Sequence, residues 1–168
     1  MTPTPVNTNH PADVQVRIAE TDDAETIVRV INAAFRIAEG FFVHGERIDL
    51  ESVLQFLEKG KFLLAESDGV ASGCVYIEPR GDRAYLGLLA VDPSRQQSGV
   101  GSLLMNAGEE YCRRLSCLFM DIKIVNLRTE LPDFYRKRGY VETGTSAFPE
   151  DVETIIPCHF IDMSKPLN

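Results

Sequence analysis

Two glycines separated by a single residue mark the part of this chain best suited to binding an anion. They lie in residues 96–102, whose sequence is QQSGVGS, directly before a run with helical periodicity. The first N–H groups of a helix have no partner within the helix, and glycine leaves them uncovered by a β-carbon. These donors and the positive end of the helix dipole together favour a bound anion such as a phosphate. The alternative is a tight turn between a strand and a helix that binds nothing.

Two known phosphate-binding loops do not fit this stretch. A Walker A loop requires Gly-Lys-Ser/Thr, but Gly101 is followed directly by Ser102 with no lysine between them. A dinucleotide-binding fingerprint requires a third glycine at the position that Leu104 occupies. The loop therefore needs another explanation.

The elements on either side of the loop position it. Residues 85–91 are almost wholly apolar, as expected for a strand buried on both faces. Asp92-Pro93-Ser94 ends this strand, because proline cannot continue a ladder and the other two favour turns. Beyond the loop, apolar residues recur at helical spacing. They are Val100, Leu103, Leu104, Ala107, Tyr111 and Leu115.

The pattern Gln96-x-x-Gly99-x-Gly101, placed between that strand and that helix, resembles the acyl-CoA loop of the GCN5-related N-acetyltransferase (GNAT) family. A second stretch, residues 126–140, begins with Asn and ends Phe-Tyr-Arg-Lys-Arg-Gly-Tyr. It is similar to the family's Asn-…-Phe/Leu-Tyr-x-Lys-x-Gly-Phe/Tyr motif. With the order of elements, the resemblance covers nearly the whole chain from residue 14 onward.

Periodicity and turn signals predict the order βαα-βββ-α-β-α-ββ, which is a mixed α/β domain. This order matches the GNAT fold, which implies a mostly antiparallel central sheet with one parallel, splayed pair and helices on both faces. Turn signals at 67–69 and 79–82 predict that the three middle strands form an antiparallel meander. The crossover through the long helix predicts parallel strands on either side of it.

Some local details can also be predicted. Asp22 and Glu25 have the spacing of a capping box at the start of the first helix. The last two strands are expected at residues 140–143 and 154–163. The second helix should bury one face. That face consists of Leu50, Val53, Leu54 and Leu57.

The resemblance implies acetyl-CoA as the co-substrate and no metal. The loop amides would hold the pyrophosphate, and main-chain groups of residues 88–91 would pair with the pantetheine arm and polarise the thioester carbonyl. Asn126 contacts the cofactor in many members, although it could equally serve as a turn residue at the end of a strand. The implied cofactor-binding residues are Leu89, Ala90, Val91, Gln96, Gln97, Ser98, Gly99, Val100, Gly101, Ser102 and Asn126.

The resemblance assigns the general acid to Tyr135, because the tyrosine of this motif lies near the CoA sulfur in many members. A phenol with a pKa near 10 stays protonated at neutral pH and can donate to a thiolate. The alternative is an aromatic side chain that packs on the sheet with its hydroxyl bonded to a backbone group.

The general base has no candidate on the central strand. Many relatives carry a glutamate there, but residues 85–91 contain no carboxylate. Glu78, at the end of the preceding strand, is the candidate of choice, acting directly or through water. Glu39, His44 and a chain of water molecules are the alternatives.

In the family, two loops build the acceptor site, and they correspond here to residues 36–49 and 144–153. Both loops combine aromatic and acidic side chains, which suits an amine with an apolar body. Arg47 could instead bind a carboxylate with two parallel hydrogen bonds, which would indicate an amino acid or a related acceptor. The aromatic and acidic residues are Glu39, Phe41, Phe42, Glu46, Phe148, Glu150, Asp151 and Glu153.

The composition is that of an ordinary single domain, because 168 residues with 44% hydrophobic content can build one core. Residues 1–13, with three prolines, predict a disordered leader before one domain at residues 14–168. The formal net charge of −8 argues against nucleic acid as a partner, because phosphate binding needs a basic face. No apolar run approaches the roughly 20 residues of a membrane span, so we expect no membrane partner. The cysteines lack CxxC spacing, which favours reduced thiols in a cytoplasmic protein.

The sequence thus predicts a cytoplasmic N-acetyltransferase that moves an acetyl group from acetyl-CoA directly to a primary amine, with a small-molecule acceptor preferred. One rival is a protein acetyltransferase that acts on lysines or on an N-terminus. A second rival is a non-catalytic acyl-CoA-binding sensor, which the absent central glutamate would suit. GNAT domains often pair, so a homodimer is compatible with the resemblance.

Overall fold

The computed structural model describes residues 14–95 and 99–168. The predicted leader at residues 1–13 and the predicted cofactor residues Gln96, Gln97 and Ser98 lie outside the described residues. The strands are β1 (Gln15–Ile18), β2 (Lys61–Ser67), β3 (Val70–Arg80), β4 (Arg83–Val91), β5 (Phe119–Val125), β6 (Val141–Ala147) and β7 (His159–Pro166). The α-helices are α1 (Ala24–Glu39), α2 (Leu50–Lys59), α3 (Val100–Arg114) and α4 (Leu131–Arg136).

The strands form one mixed sheet in the order β1-β2-β3-β4-β5-β7-β6. Tight turns join β2, β3 and β4 into an antiparallel meander, as predicted. The β4–β5 pair is parallel, because the chain crosses over through α3 between these two strands. Neighbouring strands elsewhere in the sheet run antiparallel. The predicted fold class is confirmed.

Helices cover both faces of this sheet. Alternate residues of β2 point to opposite sides, so Leu63 packs with Leu104 of α3 while Phe62 packs with Ile27 of α1 and Val53 of α2. The middle strands are therefore buried on both faces, and this close packing holds the residues at the ends of the strands in fixed positions.

The start of α1 differs from the prediction. The capping box is formed by Glu20 and Asp23, one turn before α1 itself. Glu20 N donates to Asp23 Oδ2 at 2.7 Å, and both oxygens of Asp23 accept from Arg17 of β1 at 2.8 Å. This contact with a neighbouring strand favours Asp23 over the predicted pair of Asp22 and Glu25.

The buried face of α2 is also rotated relative to the prediction. Leu50 and Leu54 are 40% and 38% exposed, whereas Phe56 packs towards the sheet. The Phe56 ring lies 4.7 Å from the ring of Tyr76, so an aromatic contact with β3 determines which side of α2 is buried.

The last two strands have different bounds from those predicted. β6 continues to Ala147, and β7 begins only at His159. Thr154 instead forms an isolated bridge with Val43, far from it in sequence. Among the described residues, no helix combines the length and the apolar content needed to cross a bilayer.

Candidate active site

The two parallel strands separate soon after they pair. The β4–β5 ladder joins Arg83, Ala84 and Tyr85 to residues 119–121, and beyond that point both strands line a cavity of about 480 Å³. Residues 85–91 of β4 form one side and residues 122–125 of β5 form the other. The carboxyl ends of the strands therefore diverge around a space large enough for a ligand.

An irregularity in β4 lies beside this cavity. Cys74 of β3 pairs with Ala90 of β4, and Tyr76 pairs with Gly87. Leu88 and Leu89 of β4 therefore both lie opposite one β3 residue, Val75. Leu88 has a φ of 51°, which side chains other than glycine adopt at a cost. A bulge leaves main-chain groups without ladder partners, so those of Leu88 and Leu89 can turn towards a bound ligand.

The helix α3 begins at the same edge of the sheet. Gly99 caps it with a left-handed φ of 81°, and Gly101 in its first turn lines the cavity. Val100 is instead buried in the core beneath α3, and Ser102 is half-buried. Of the predicted cofactor residues, those that line the cavity are Leu89, Ala90, Val91 and Gly101.

Asn126 is held in a structural contact at the end of β5. Its backbone N donates to His159 O and its side-chain Oδ1 accepts from His159 N, both at 2.9 Å. Asn126 is not among the residues that line the cavity. Its side chain therefore ties β5 to β7 in this structure.

Tyr135 of α4 lines the cavity and is 7% exposed. Its ring packs edge-on against Phe134 and Tyr140 at centroid distances of 5.0 and 5.8 Å. Burial raises the pKa of Tyr135 to about 12, so the phenol stays protonated at neutral pH. Within the described residues its hydroxyl makes no hydrogen bond, so the alternative of a backbone-bonded hydroxyl is not observed.

Glu78 lies at the end of β3 and does not line the cavity. Its Oε1 accepts a hydrogen bond from Tyr76 at 2.6 Å, and its Oε2 accepts one from Arg80. Burial would raise the pKa of Glu78, but the hydrogen bonds from Tyr76 and Arg80 outweigh it and hold the pKa below its ordinary value. The structure does not bring Glu78 and Tyr135 together around one space.

A different carboxylate lines the cavity. Glu39, the last residue of α1, is 4% exposed and faces two guanidinium groups, those of Arg47 at 3.6 Å and Arg128 at 3.9 Å. Burial raises the pKa of Glu39, and the two arginines oppose this shift without cancelling it. Sequence reasoning kept Glu39 only as an alternative and missed Arg128, because no local pattern shows that the two will meet.

The two predicted acceptor loops join each other beside this group. Ile155 N donates to Phe42 O at 2.6 Å, and His44 N donates to Glu153 O at 2.9 Å. Phe148 from the later loop lines the same cavity as Glu39 and Arg47. A second cavity of about 360 Å³ shares Glu39 and Arg47 as part of its wall. In the part of the chain that the structure describes, no cluster of three or more His, Cys, Asp or Glu side chains is arranged to hold a metal ion.

A bulged strand, a helix that begins after a left-handed glycine and a splayed parallel pair of strands surround this cavity. Residues 28–140 match the model of the acetyltransferase (GNAT) family. The chain belongs to the GNAT family. The predicted resemblance is therefore confirmed. The members of this family are acyltransferases, and its acetyltransferases use acetyl-CoA.

A curated GNAT relative is the amino-acid acetyltransferase of Aliivibrio fischeri strain MJ11, which is 30% identical over 141 residues. The match covers 80% of this chain but only 28% of that relative, so the chain spans little more than a quarter of its length.

Solved structures of GNAT proteins share the fold. The ribosomal-protein-S18-alanine N-acetyltransferase of Escherichia coli superimposes with a TM-score of 0.75 at 15% identity, covering 92% of this chain and 94% of that one. The PaiA N-acetyltransferase of Thermoplasma acidophilum, solved with coenzyme A, gives a TM-score of 0.70 at 16% identity, covering 91% and 98%. At these identities the likeness shows the fold alone.

Proposed function

We propose that this chain transfers an acetyl group from acetyl-CoA to the primary amine of a small molecule. One observation carries the proposal. A single cavity is lined by Gly101 at the start of α3, by the bulged segment 88–91 of β4 and by the buried phenol of Tyr135. These are the parts that a thioester donor requires: an anion-binding helix start, main-chain groups for the carbonyl and a proton donor for the sulfur.

The transfer proceeds by direct attack of the amine. The amine nitrogen forms a bond to the thioester carbonyl carbon, and the carbonyl oxygen of the resulting tetrahedral intermediate accepts hydrogen bonds from β4 amides. The carbon–sulfur bond then breaks, and the CoA thiolate takes a proton from Tyr135. The nitrogen loses two protons overall, so one restores the Tyr135 phenol and the other leaves to solvent.

Glu39 is the better-placed proton acceptor for the incoming ammonium. It lines the cavity, and the raised pKa makes its carboxylate a stronger base than an ordinary glutamate. The sequence favoured Glu78 as the general base. Its pKa is lowered and it does not line the cavity, so both observations favour Glu39.

Two observations support a small-molecule acceptor. Main-chain bonds between residues 42–44 and 153–155 join the two acceptor loops, which suits a bounded pocket better than a peptide groove between separate loops. The curated relative is named for amino acids, which are small molecules. The structural neighbour from Escherichia coli is named for a ribosomal protein, so a protein acceptor is the rival to test.

Release of free thiol from acetyl-CoA, measured with a panel of small amines and peptides, tests the proposal. We expect turnover with small amines that exceeds both the hydrolysis background and the turnover with peptides. Tight CoA binding by calorimetry without turnover of any acceptor would instead establish the acyl-CoA sensor. Turnover confined to peptides would establish the protein acetyltransferase.

A further inference from the structure

The wall of the cavity formed by Glu39, Arg47 and Arg128 has unused hydrogen-bonding capacity. Among the described residues, three buried side-chain polar atoms lack a hydrogen-bond partner, and two of them are Glu39 Oε1 and Arg47 Nε. These two atoms are 3.6 Å apart, too far for a hydrogen bond to each other. Buried polar groups in native proteins are normally satisfied, so an unsatisfied acceptor beside an unsatisfied donor calls for an explanation.

The position of Arg47 is fixed by its surroundings. Its guanidinium carbon lies 5.8 Å from the ring centroid of Phe35 and 5.7 Å from that of Phe148. Its side chain is only 17% exposed, so little side-chain freedom would be lost on binding a ligand. An arginine held near aromatic rings keeps its planar guanidinium donors available, and these donors match the geometry of a carboxylate.

The other cations of the cavity already have close partners. Arg128 Nε donates to Glu130 Oε1 at 3.0 Å, and Lys123 Nζ donates to Ser146 Oγ at 2.7 Å and to Asp162 Oδ1 at 3.2 Å. Arg47 is therefore the guanidinium of this lining whose Nε has no partner among the described residues. Arg128 adds a second positive charge on the far side of Glu39.

We propose that the Glu39–Arg47 pair binds the two charges of an α-amino acid, Glu39 receiving the ammonium and Arg47 the carboxylate. This inference rests on the proposed function, since the bound ammonium is the group to be acetylated. A simple cationic amine would satisfy Glu39 and leave Arg47 Nε without an acceptor. A simple anion would satisfy Arg47 and face the Glu39 carboxylate. A ligand with adjacent opposite charges satisfies both atoms at once.

The proposal separates free amino acids from peptide N-termini. The α-carbon of a peptide N-terminus is attached to an amide carbonyl rather than to a carboxylate, so it offers Arg47 no negative charge. An amino acid amide and the corresponding decarboxylated amine lack the charge in the same way, and both keep the amine and the side chain. These compounds form a series with the same side chain and an amine at the same position, and they differ in the group that would face Arg47.

The experiment compares phenylalanine with phenylalanine amide and phenethylamine, and leucine with leucine amide, in the thiol-release assay. We expect kcat/KM at least about tenfold higher for the free amino acids, because a charge-assisted bidentate contact is lost from the other compounds. Arg47→Gln should raise the KM for the amino acids by about 10- to 100-fold, leave the KM for acetyl-CoA unchanged and abolish the preference. Arg114→Gln is the matched control, since Arg114 is exposed at the last turn of α3, pairs with Glu110 and lines neither cavity.

Non-preferential turnover would overturn the proposal. If the amides, the decarboxylated amines or an N-terminal peptide are turned over as well as the free amino acids, the paired-charge site is wrong while the proposed acetyl transfer stands. If no acceptor is turned over, the proposed function fails, and calorimetric titration of the CoA-loaded wild-type protein with phenylalanine and with phenethylamine decides the inference by itself. Selective binding of phenylalanine supports the paired-charge site, and absence of that selectivity overturns it. This titration also covers the case in which the Arg47 variant fails to fold.

Discussion

Gly101 faces Val91 at the mouth of the cavity, and a β-carbon on Gly101 would lie 3.7 Å from Val91 Cγ2, an ordinary van der Waals distance. Packing among the described residues therefore does not require glycine at this position. Gly73 of β3 is the opposite case, because a β-carbon there would lie 2.8 Å from Ala90 O and 3.0 Å from Leu104 Cδ1. Packing therefore explains the glycine at position 73, whereas it does not explain the glycine at position 101.

Gly101→Leu should therefore weaken CoA binding while the protein stays folded. We expect the Kd for CoA by calorimetry to rise at least about tenfold, because the larger side chain would occupy space beside the bound pyrophosphate. Gly101→Ala is the matched control and should keep a near wild-type Kd and melting temperature, since a β-carbon fits here and alanine favours a helix by up to about 1 kcal/mol. Gly73→Ala should instead lose about 1–3 kcal/mol of stability from overpacking. An unchanged Kd for Gly101→Leu would contradict the assignment of this turn.

Tyr135→Phe should reduce kcat by about 10²- to 10⁴-fold while the KM for acetyl-CoA stays the same, because only the proton donated to the thiolate is lost. Tyr140→Phe is a matched control, since the Tyr140 ring packs 5.8 Å from that of Tyr135 and its hydroxyl donates to Glu109 Oε2 at 3.2 Å. It should cost about 1 kcal/mol of stability and leave kcat nearly unchanged. A loss of kcat below about threefold in Tyr135→Phe would remove this residue from the mechanism.

Glu39→Gln should lower kcat/KM at least about tenfold and remove part of its pH dependence. Burial raises the pKa of Glu39, so its carboxylate becomes available as a base only above the pH at which an ordinary glutamate ionises. The acidic limb of the wild-type kcat/KM profile should therefore lie above pH 4.5 and be lost in the variant.

Glu78→Gln provides the comparison for that measurement. The hydrogen bonds from Tyr76 and Arg80 lower the pKa of Glu78 despite its burial, and its carboxylate lies outside the cavity lining. Its variant should keep near wild-type turnover and the wild-type acidic limb. If Glu78→Gln loses turnover and Glu39→Gln does not, the proton acceptor is Glu78.

Asp23→Asn should make stability depend less on pH. The hydrogen bond from Arg17 lowers the pKa of Asp23 from 3.8 to about 2, against the opposing effect of burial. Because the folded-state pKa is depressed, this carboxylate stabilises the fold above pH 3.8 and the contribution is lost as the pH falls towards 2. Urea unfolding should show a loss of about 1–2 kcal/mol at pH 7 that shrinks below about pH 4.

The neighbouring acid supplies the control for this variant. Asp22 carries the same charge one residue earlier and is exposed. Asp22→Asn should change stability by less than about 0.5 kcal/mol at either pH. An equal loss in both variants would show that net charge, rather than the contact with Arg17, is responsible.

The sequence alone determined the frame of this protein. Three local patterns correspond to what the structure shows. They are the strand and helix on either side of the loop before Gly101, the tight turns between β2, β3 and β4, and the motif at residues 126–140 that places Tyr135 in the cavity lining. Such patterns can be read because the atoms that decide them lie within a few residues of one another.

The tertiary structure decided which side chains meet. Phe56 rather than Leu54 faces the sheet because its ring packs against the ring of Tyr76 on β3. Glu39 meets Arg128 across 89 positions of sequence. Glu78 instead bonds to Tyr76 and Arg80, so the buried carboxylate that lines the cavity is Glu39 rather than the predicted Glu78. Charge pairing and aromatic contact act through space over a few ångströms, and only the folded chain specifies which distant residues come that close.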